Sequence, residues 1–226
     1  MNKNLELIIT KDGSHSIYNS ALNETYHSVG GAIKESEHIY IQHGLKSLSV
    51  KLDSIKILEI GFGTGLNAIL TLKEAIKESL QISYITLEPY PLGEEITKAL
   101  NYPSYFQESF LKEKFSILHS CPWEENNQIT PEFLFIKKQI KIEEFNTKEK
   151  FDLVYYDAFA PSKQADIWDI NNLKKVKDMM KVGGILITYC SNGKFKRDLK
   201  EAGFTIESLP GPLGKREITR AVAVSH

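Results

Sequence analysis

The stretch of the sequence that most constrains the fold joins an apolar run to a glycine-rich turn and then to a helical pattern. Residues 57–60 form a β-prone run, glycines follow at alternate positions from Gly61 to Gly65, and good helix formers extend from Leu66 to about Lys77. This order predicts a strand, a tight turn and a helix. Glycine lets a backbone approach a ligand closely, and a helix N-terminus offers unpaired N–H groups and partial positive charge. The turn therefore suits a polar ligand that carries a carboxylate.

The spacing of the glycines distinguishes between two kinds of nucleotide-type ligand. The dinucleotide fingerprint is G-x-G-x-x-G, but Leu66 stands where its third glycine should be. The chain instead has E-x-G-x-G-x-G from Glu59, and a second acid, Glu88, ends the next apolar run at residues 82–87. This pair of features resembles the motifs of class I S-adenosylmethionine-dependent methyltransferases. The resemblance implies that the glycine turn lies against the methionine part of the cofactor and that Glu88 accepts hydrogen bonds from the ribose hydroxyls. A plain strand-to-helix turn is the alternative.

Strand and helix patterns alternate along most of the chain. Its 226 residues are 42% hydrophobic and 25% charged, which is enough apolar content for one domain with a sizeable core. The alternation over residues 51–226 predicts an α/β fold with a doubly wound, Rossmann-like sheet, mostly parallel with an antiparallel last strand. Residues 1–50 predict a hairpin and a helix, which we expect to form a small cap over the ligand mouth. Ligands in such sheets bind at the carboxyl ends of the strands, where the glycine turn, Glu88 and Asp157 converge.

Several other elements are predicted from local patterns. In the N-terminal segment a helix is expected over residues 32–43, with Gly44 as its end. Residues 117–124 interrupt the helical pattern and predict a loop. Residues 140–145 are a weak strand candidate, and residues 168–181 predict one helix.

The charges are distributed unevenly, although the net charge is only −1. Residues 158–226 hold 12 Lys and Arg against 7 Asp and Glu, a net charge of +5, and the rest of the chain holds 16 against 22, a net charge of −6. All three arginines, Arg197, Arg216 and Arg220, lie in the last thirty residues. This asymmetry favours an anionic partner near the C-terminal part, but solvated helix faces explain it equally well.

The cysteine content and the hydropathy exclude several protein classes. The two cysteines, Cys121 and Cys190, provide neither a disulfide framework nor the spacing of metal ligands, so no metal is expected. No apolar run approaches the length of a membrane-spanning helix, and the first ten residues lack the features of a signal peptide. We therefore expect a cytoplasmic protein without membrane contact.

Motifs spread over nearly the whole chain are similar to those of one methyltransferase family. The matching segments are Y-H-S at residues 26–28 with E-S at 35–36, E-I-G-F-G-T-G-L-N at residues 59–67, D-A-F-A-P at residues 157–161 followed by Trp168, and G-P-L-G-K-R-E at residues 211–217. Together they resemble the bacterial methyltransferases that act on 5-aminomethyl-2-thiouridine in tRNA, the MnmC/MnmD family. The resemblance implies methyl transfer from S-adenosylmethionine to the exocyclic amine of a modified wobble uridine in the anticodon loop.

The resemblance also implies roles for individual residues. It assigns catalysis to Asp157, which we expect to orient the amine and stabilise its developing charge. Tyr26 adds a hydroxyl at the same place or packs through its ring. The cofactor-binding residues implied are Glu59, Gly61, Gly63, Gly65, Asn67, Glu88, Asp157 and Phe159. The substrate-binding residues implied are Pro161, Trp168, Lys194, Arg197, Lys215 and Arg216.

The chain resembles the stand-alone methyltransferase form of the family, and one segment departs from the family pattern. Some members continue into a flavin-dependent oxidase, but this sequence ends at His226, so FAD is not expected. A functional link to a separate FAD-dependent wobble-uridine enzyme is expected instead. Where related enzymes carry an acid for the adenine, this chain has Gln139, Ile140 and Lys141, and the first acid is Glu143. The adenine contact is therefore left unassigned.

Three other functions fit parts of the sequence. The first is an S-adenosylmethionine-type transferase for a small-molecule amine, such as an aminopropyl transferase, which would need an acidic pocket and no basic C-terminal set. The second is a catalytically silent RNA-binding protein of the same fold, which would be expected to lack Glu88, Asp157 or the glycines. The third, a hydride-transferring dinucleotide enzyme, is disfavoured by Leu66.

Overall fold

The computed structural model describes residues 4–50, 52–106, 108–212, 214 and 216–225. The strands are β1 (Leu5–Ile9), β2 (His15–Asn19), β3 (Glu24–Thr25), β4 (Ser54–Ile60), β5 (Gln81–Leu87), β6 (Asn127–Thr130), β7 (Phe133–Lys138), β8 (Phe151–Tyr156), β9 (Met180–Thr188), β10 (Phe204–Pro210) and β11 (Glu217–Ala223). The α-helices are α1 (Ala32–Ser36), α2 (Lys46–Ser49), α3 (Leu66–Lys77), α4 (Glu94–Ala99), α5 (Tyr102–Tyr105), α6 (Ser109–Ser120), α7 (Ile170–Asp178) and α8 (Gly193–Glu201). A π-helix (Glu37–Leu45) joins α1 to α2, and a 3-10 helix spans Ala165–Trp168.

A central eight-stranded sheet organises these elements in the order β10-β11-β9-β8-β4-β5-β7-β6. Neighbouring strands from β9 to β7 are parallel, and β11 runs antiparallel between β9 and β10. The predicted doubly wound, mostly parallel sheet with an antiparallel closing strand is therefore confirmed. The sequence did not predict β6, a short edge strand antiparallel to β7. Because the chain leaves β4 for β5 on one side and returns to β8 on the other, the carboxyl end of β4 is where ligands bind in such sheets.

The two faces of this sheet carry separate apolar cores. On one face, Ile57 and Tyr155 pack with residues of α3, α6 and the π-helix. On the other face, Leu58 and Val154 pack with residues of α7 and α8. Every residue of β8 is buried. Burial on both faces explains why the parallel strands are near-continuous apolar runs in the sequence.

The N-terminal segment packs against the central sheet and contributes to its core. Its strands β1, β2 and β3 form a small antiparallel sheet. The π-helix follows, and Ile39, Tyr40 and Leu45 belong to the same core as α3. The predicted helix end at Gly44 is wrong, because helical structure continues to Ser49. Gly44 lies there for a different reason: a Cβ atom on it would stand 3.1 Å from Ile187 Cγ2 and 3.3 Å from Tyr155 Cε1.

Three other local predictions differ from the structure. Helix α6 continues to Ser120, through much of the predicted loop, because Phe115 and Leu118 extend its buried stripe. Residues 140–145 form a turn rather than a strand, with Ile142 and Phe145 packed into the second core. The predicted single helix over residues 168–181 is divided at Asp169, whose side chain accepts a hydrogen bond from the Asn171 N–H and so starts α7.

No helix in the described parts of the chain is both long enough and apolar enough to span a membrane.

The contact at Gly44 gives a prediction about stability. Gly44→Val should lower the free energy of unfolding by about 1–3 kcal/mol, because overpacking forces the Ile187 and Tyr155 side chains to move. The matched control is Gly93→Val, since Gly93 has an extended backbone and a Cβ atom on it would meet no atom of the described residues within 4 Å. Thermal unfolding of both variants tests this, and an equal change in their midpoints would contradict the packing role of Gly44.

Candidate active site

The glycine turn lies where β4 meets the ends of its two neighbours. The Gly61 N–H donates to the Leu87 carbonyl at the end of β5 (3.0 Å), and the Asp157 N–H after β8 donates to the Ile60 carbonyl (3.0 Å). Gly61 has a φ of 96°, and a Cβ atom on it would stand 2.5 Å from the Asp157 carbonyl oxygen. A side chain at this position is therefore excluded twice, by the backbone conformation and by space.

Glu88 closes the turn from the side of β5. Its Oε2 accepts a hydrogen bond from the Gly63 N–H (3.0 Å), and its Oε1 accepts one from the Tyr90 N–H (2.9 Å). Burial raises the pKa of Glu88, and these backbone N–H groups oppose that effect. A carboxylate has about four lone-pair positions, so Glu88 can still accept hydrogen bonds from a ligand with two hydroxyl groups.

Asp157 stands at the end of β8, on the other side of the turn. Its Oδ2 accepts a hydrogen bond from Asn67 Nδ2 at 2.7 Å. Asn67 lies in the first turn of α3 and is 3% exposed. The structure thus brings two predicted site residues together, and Asn67 also opposes the raised pKa of the neighbouring Glu59 through a side-chain hydrogen bond. A fixed carboxylate at this position can act as a hydrogen-bond acceptor for a reacting group.

Two aromatic rings form the wall beside the turn. Tyr26 and Phe159 meet edge to face, with ring centroids 4.8 Å apart. A Cβ atom on Gly63 would stand 3.1 Å from Tyr26 Cδ1, so the glycine also allows this ring to approach the turn. Burial raises the pKa of Tyr26, and the Glu88 charge raises it further. Tyr26 is therefore a neutral phenol at physiological pH.

A cavity of about 1280 Å³ lies between these groups and the N-terminal segment. Among the predicted site residues it is lined by Tyr26, Gly61, Gly63, Glu88, Asp157 and Phe159. Single small ligands occupy pockets of about 300–1,000 Å³, so this one has room for two ligands or for parts of two.

The carboxyl of Glu59 does not line this cavity. Glu59 is fully buried on the face of β4 that also carries Ile57. Burial raises its pKa to about 8, so the side chain is a neutral acid over most of the physiological range. Its predicted role as a direct cofactor contact does not fit this position. Gly65 does not line the cavity either, and a Cβ atom on it would stand 2.9 Å from His119 Nε2.

Those residues predicted to bind substrate that the structure describes do not line the cavity. Trp168 is 4% exposed and packs on Tyr156 and Phe195, so a base cannot stack on its ring. Its Nε1 instead donates to the Phe159 carbonyl (2.8 Å), which fixes the loop after Asp157. Pro161 does not line the cavity, and Lys194 forms an ion pair with Asp198. Arg197 and Arg216 are exposed. Lys215 lies outside the described residues.

Three residues of the site were given no role from the sequence, although one of them, Glu35, belongs to the E-S motif at residues 35–36. Glu35, Tyr40 and Tyr189 all line the cavity near Asp157. Tyr189 follows β9, which is the neighbour of β8, and its hydroxyl donates to the Ala158 carbonyl (2.7 Å). Its position directly after a buried strand could have identified it from the sequence as a residue of the site. Glu35 and Tyr40 come from the helical segment before the sheet, and no register in the sequence links them to it.

Among the described residues, no group of three or more His, Cys, Asp or Glu side chains could hold a metal ion. His119 Nε2 lies 3.1 Å from the Thr64 carbonyl oxygen, and burial lowers its pKa to about 4. His119 is therefore a half-buried, neutral side chain that packs against the glycine turn.

Comparison with known proteins relates this geometry to a family. A family model described as an S-adenosyl-L-methionine-dependent methyltransferase matches residues 102–224, more than half of the chain. A protein of Leptospira interrogans, named tRNA 5-methylaminomethyl-2-thiouridine biosynthesis bifunctional protein MnmC, is 30% identical over 213 residues, covering 87% of this chain and 32% of the relative. A protein of the same name from Idiomarina loihiensis is 25% identical over 224 residues, covering 88% and 35%. The chain thus spans about one third of the length of these relatives.

Two solved structures have a similar fold. The crystal structure of MNMC2 from Aquifex aeolicus matches with a TM-score of 0.78 and 25% identity, covering 98% of this chain and 71% of that one. Spermidine synthase from Thermotoga maritima matches with a TM-score of 0.57 and 14% identity, covering 97% and 68%. The second similarity shows a shared fold.

The buried carboxyl of Glu59 gives a prediction about pH. Its pKa is about 8 in the folded protein against 4.5 for an ordinary glutamate, so the folded state binds the proton more tightly. The stability contributed by this proton is complete below pH 4.5 and is lost as the pH rises to about 8. Glu59→Gln should therefore gain stability relative to the wild type over this interval, on the order of a few kcal/mol.

Urea unfolding at several pH values between 5 and 8.5 measures this difference. Glu113→Gln is the control, because the Glu113 side chain is 67% exposed. A constant difference between wild type and Glu59→Gln across the interval would contradict the assignment of a neutral Glu59.

Proposed function

Because the chain belongs to the S-adenosyl-L-methionine-dependent methyltransferases, we propose that it methylates the 5-aminomethyl nitrogen of a wobble uridine in the tRNA anticodon loop. The observation that carries this proposal is a fixed acceptor group, Asp157, in a cavity with room for more than one small ligand. Relatives named for the biosynthesis of 5-methylaminomethyl-2-thiouridine, similar over 87% of the chain, support the choice of acceptor.

The residues proposed to hold the cofactor are those around the glycine turn. Glu88 would accept hydrogen bonds from the ribose hydroxyls, and the backbone at Gly61 and Gly63 would contact the methionine part of the cofactor. Phe159 and Tyr26 would complete the wall of this site. The bound cofactor supplies an electrophilic methyl group on a positively charged sulfur.

The amine must be neutral before it can react. A primary alkylamine resembles lysine, with a pKa of about 10.4, so roughly one molecule in two thousand is neutral at pH 7. Deprotonation therefore costs about 4–5 kcal/mol at this pH. The nitrogen lone pair then forms a bond to the methyl carbon while the carbon–sulfur bond breaks with both electrons left on sulfur. The proton lost from the ammonium passes to water.

Asp157 would act on the nitrogen during this displacement. As the nitrogen becomes positive, an N–H group on it becomes a stronger donor, and the Asp157 carboxylate stabilises the developing charge. The hydrogen bond from Asn67 holds the carboxylate in place and competes for only part of its acceptor capacity. Tyr26 would contribute its ring, and as a neutral phenol it can also donate one hydrogen bond.

The tRNA would be bound by lysines at the cavity and by arginines outside it. Lys141 and Lys163 line the cavity and are proposed as the nearest phosphate contacts. The exposed Arg197 and Arg216 would contact phosphates further away, together with Lys215. Because the relatives are bifunctional and the chain matches one third of them, a functional link to a flavin-dependent enzyme acting on the same uridine is also proposed. A cytoplasmic location follows from a tRNA substrate.

A small-molecule amine is the second candidate for the acceptor. The cavity is lined by more acids than bases, which suits a polyamine, and the fold is shared with a spermidine synthase. The acids that line it are Glu24, Glu35, Glu88, Glu94, Glu95, Glu143, Asp157 and Asp166, against Lys141 and Lys163.

The two acceptors are separated by labelling. Methyl-labelled S-adenosylmethionine would be incubated with the protein and either bulk tRNA from cells lacking it or spermidine, followed by nucleoside or amine analysis. The expected result is label in a 5-methylaminomethyl uridine. Binding of the cofactor without labelling of tRNA would contradict the proposed acceptor, and label in spermidine would replace it with the second candidate.

Asp157→Asn tests the assigned catalytic residue. We expect kcat to fall about 10²–10³-fold, the effect of removing one preorganised electrostatic group, with cofactor affinity nearly unchanged. Asp166→Asn is the matched control, because Asp166 lines the same cavity but is exposed. A loss of cofactor binding in Asp157→Asn, measured by calorimetry, would assign Asp157 to the cofactor instead.

A further inference from the structure

Four polar side chains from four elements line the cavity and lie within electrostatic reach of one another, and they define what is here called one end of the cavity. Glu35 comes from α1, Tyr40 from the π-helix, Asp157 from the end of β8 and Tyr189 from the end of β9, and all four line the cavity. Two of them are carboxylates and two are phenols. The N-terminal segment therefore supplies half of this end of the cavity.

Both carboxylates act on both phenols. Burial raises the pKa of Tyr40, and the charges of Asp157 and then Glu35 raise it further. Burial also raises the pKa of Tyr189, and Asp157 is again the largest charge, with Glu24 and Glu35 contributing. The two hydroxyls consequently lie within the electrostatic reach of Asp157 and of Glu35 at once, and both stay protonated.

Three of these side chains are held by separate contacts. Glu35 is 6% exposed, and its Oε2 accepts a hydrogen bond from the Ser28 N–H at 2.7 Å. Asp157 is held by Asn67, and Tyr189 by the Ala158 carbonyl. These contacts fix the side chains at the cavity wall before a ligand enters.

The hydroxyl of Tyr40 points to a ligand at this place. Tyr40 is 2% exposed and lines the cavity, and the Asp157 carboxylate raises the pKa of its hydroxyl through its charge and through a side-chain hydrogen bond, although this hydrogen bond lies outside ordinary geometry. A buried hydroxyl without a well-formed hydrogen bond is costly, so a bound group that completes its hydrogen bonding is favoured. The hydroxyl can accept a hydrogen bond as well as donate one.

We propose that Glu35 and Asp157 form a two-carboxylate site that binds the acceptor amine as an ammonium ion, with the Tyr40 hydroxyl as a further hydrogen-bond partner. An ammonium group has three N–H donors, which match these three acceptors. The site selects a cationic acceptor over a neutral one of the same shape, because only the cation compensates the negative charges of the buried Glu35 and the half-buried Asp157. This inference deepens the proposed function and rests on its amine acceptor.

Glu35 is a binding residue in this arrangement and stabilises the amine in its unreactive, protonated form. Removing its charge should therefore weaken binding of the substrate and shift the acid limb of the kcat profile to lower pH, since the neutral amine then forms more easily. A residue that only supported the fold would change neither the charge preference nor the position of this limb. Among the described residues, the other titratable groups near this end include Glu24, Tyr26, Glu59, Tyr84 and Cys190.

The direct test is calorimetric binding of two nucleosides, 5-aminomethyluridine and the neutral 5-hydroxymethyluridine, with S-adenosylhomocysteine present. Wild type should prefer the amine at least tenfold at pH 7. Glu35→Gln should lose most of that preference, whereas its amide oxygen can still accept from the Ser28 N–H and so preserve the fold. Glu35→Asp keeps the charge and should restore part of the preference.

Glu94→Gln is the control, because Glu94 also lines the cavity but forms an exposed ion pair with Lys98. A wild type without preference for the amine, or a Glu35→Gln protein that keeps it, would overturn the inference. The tRNA labelling described above is independent of this measurement. If wild type prefers the amine nucleoside but labels no tRNA, the proposed function fails and the two-carboxylate site stands.

Discussion

The close approach of the chain at the carboxyl ends of β4 and β8 is the constraint on which the rest of the site depends. At Gly61 the backbone of one strand end lies so near the carbonyl of Asp157 that no Cβ atom fits between them. The hydrogen bonds from Gly61 to Leu87 and from Asp157 to Ile60 fix three neighbouring strand ends relative to one another. The carboxylates of Glu88 and Asp157 are both positioned from this junction.

The parts of the site that the sequence predicts are those that the sheet itself positions. The glycine turn, Glu88 and Asp157 each follow a buried strand, and parallel strands present their carboxyl ends at one edge. Strand periodicity could also have identified Glu59 as interior, because it alternates with Leu58 and Ile60 and so shares a face with Ile57.

Other parts of the site could not be predicted in this way. Glu35 and Tyr40 reach the cavity through the packing of a helical segment on the sheet, and that packing depends on contacts far apart in the sequence. Trp168 illustrates the opposite error, since an aromatic residue that follows the D-A-F-A-P motif, and was expected to bind substrate, holds the loop after Asp157 instead. The C-terminal excess of basic residues is partly used in ion pairs such as Lys196 with Glu217. Charge counts along a sequence do not show which charges are already compensated.

The π-helix between α1 and α2 makes the cavity sensitive to a change in chain length. An α-helix turns by about 100° per residue, and a π-helix accommodates extra residues in its wider turns. Deleting one residue between Tyr40 and Gly44 would rotate the part of the helix before the deletion relative to the part after it by about that angle. Tyr40 and Gly44 could then no longer both face the sheet. Among homologous chains, this segment should consequently accept substitutions more readily than the loss of one residue. A gap here in an alignment would indicate a protein in which the end of the cavity near Tyr40 is built differently.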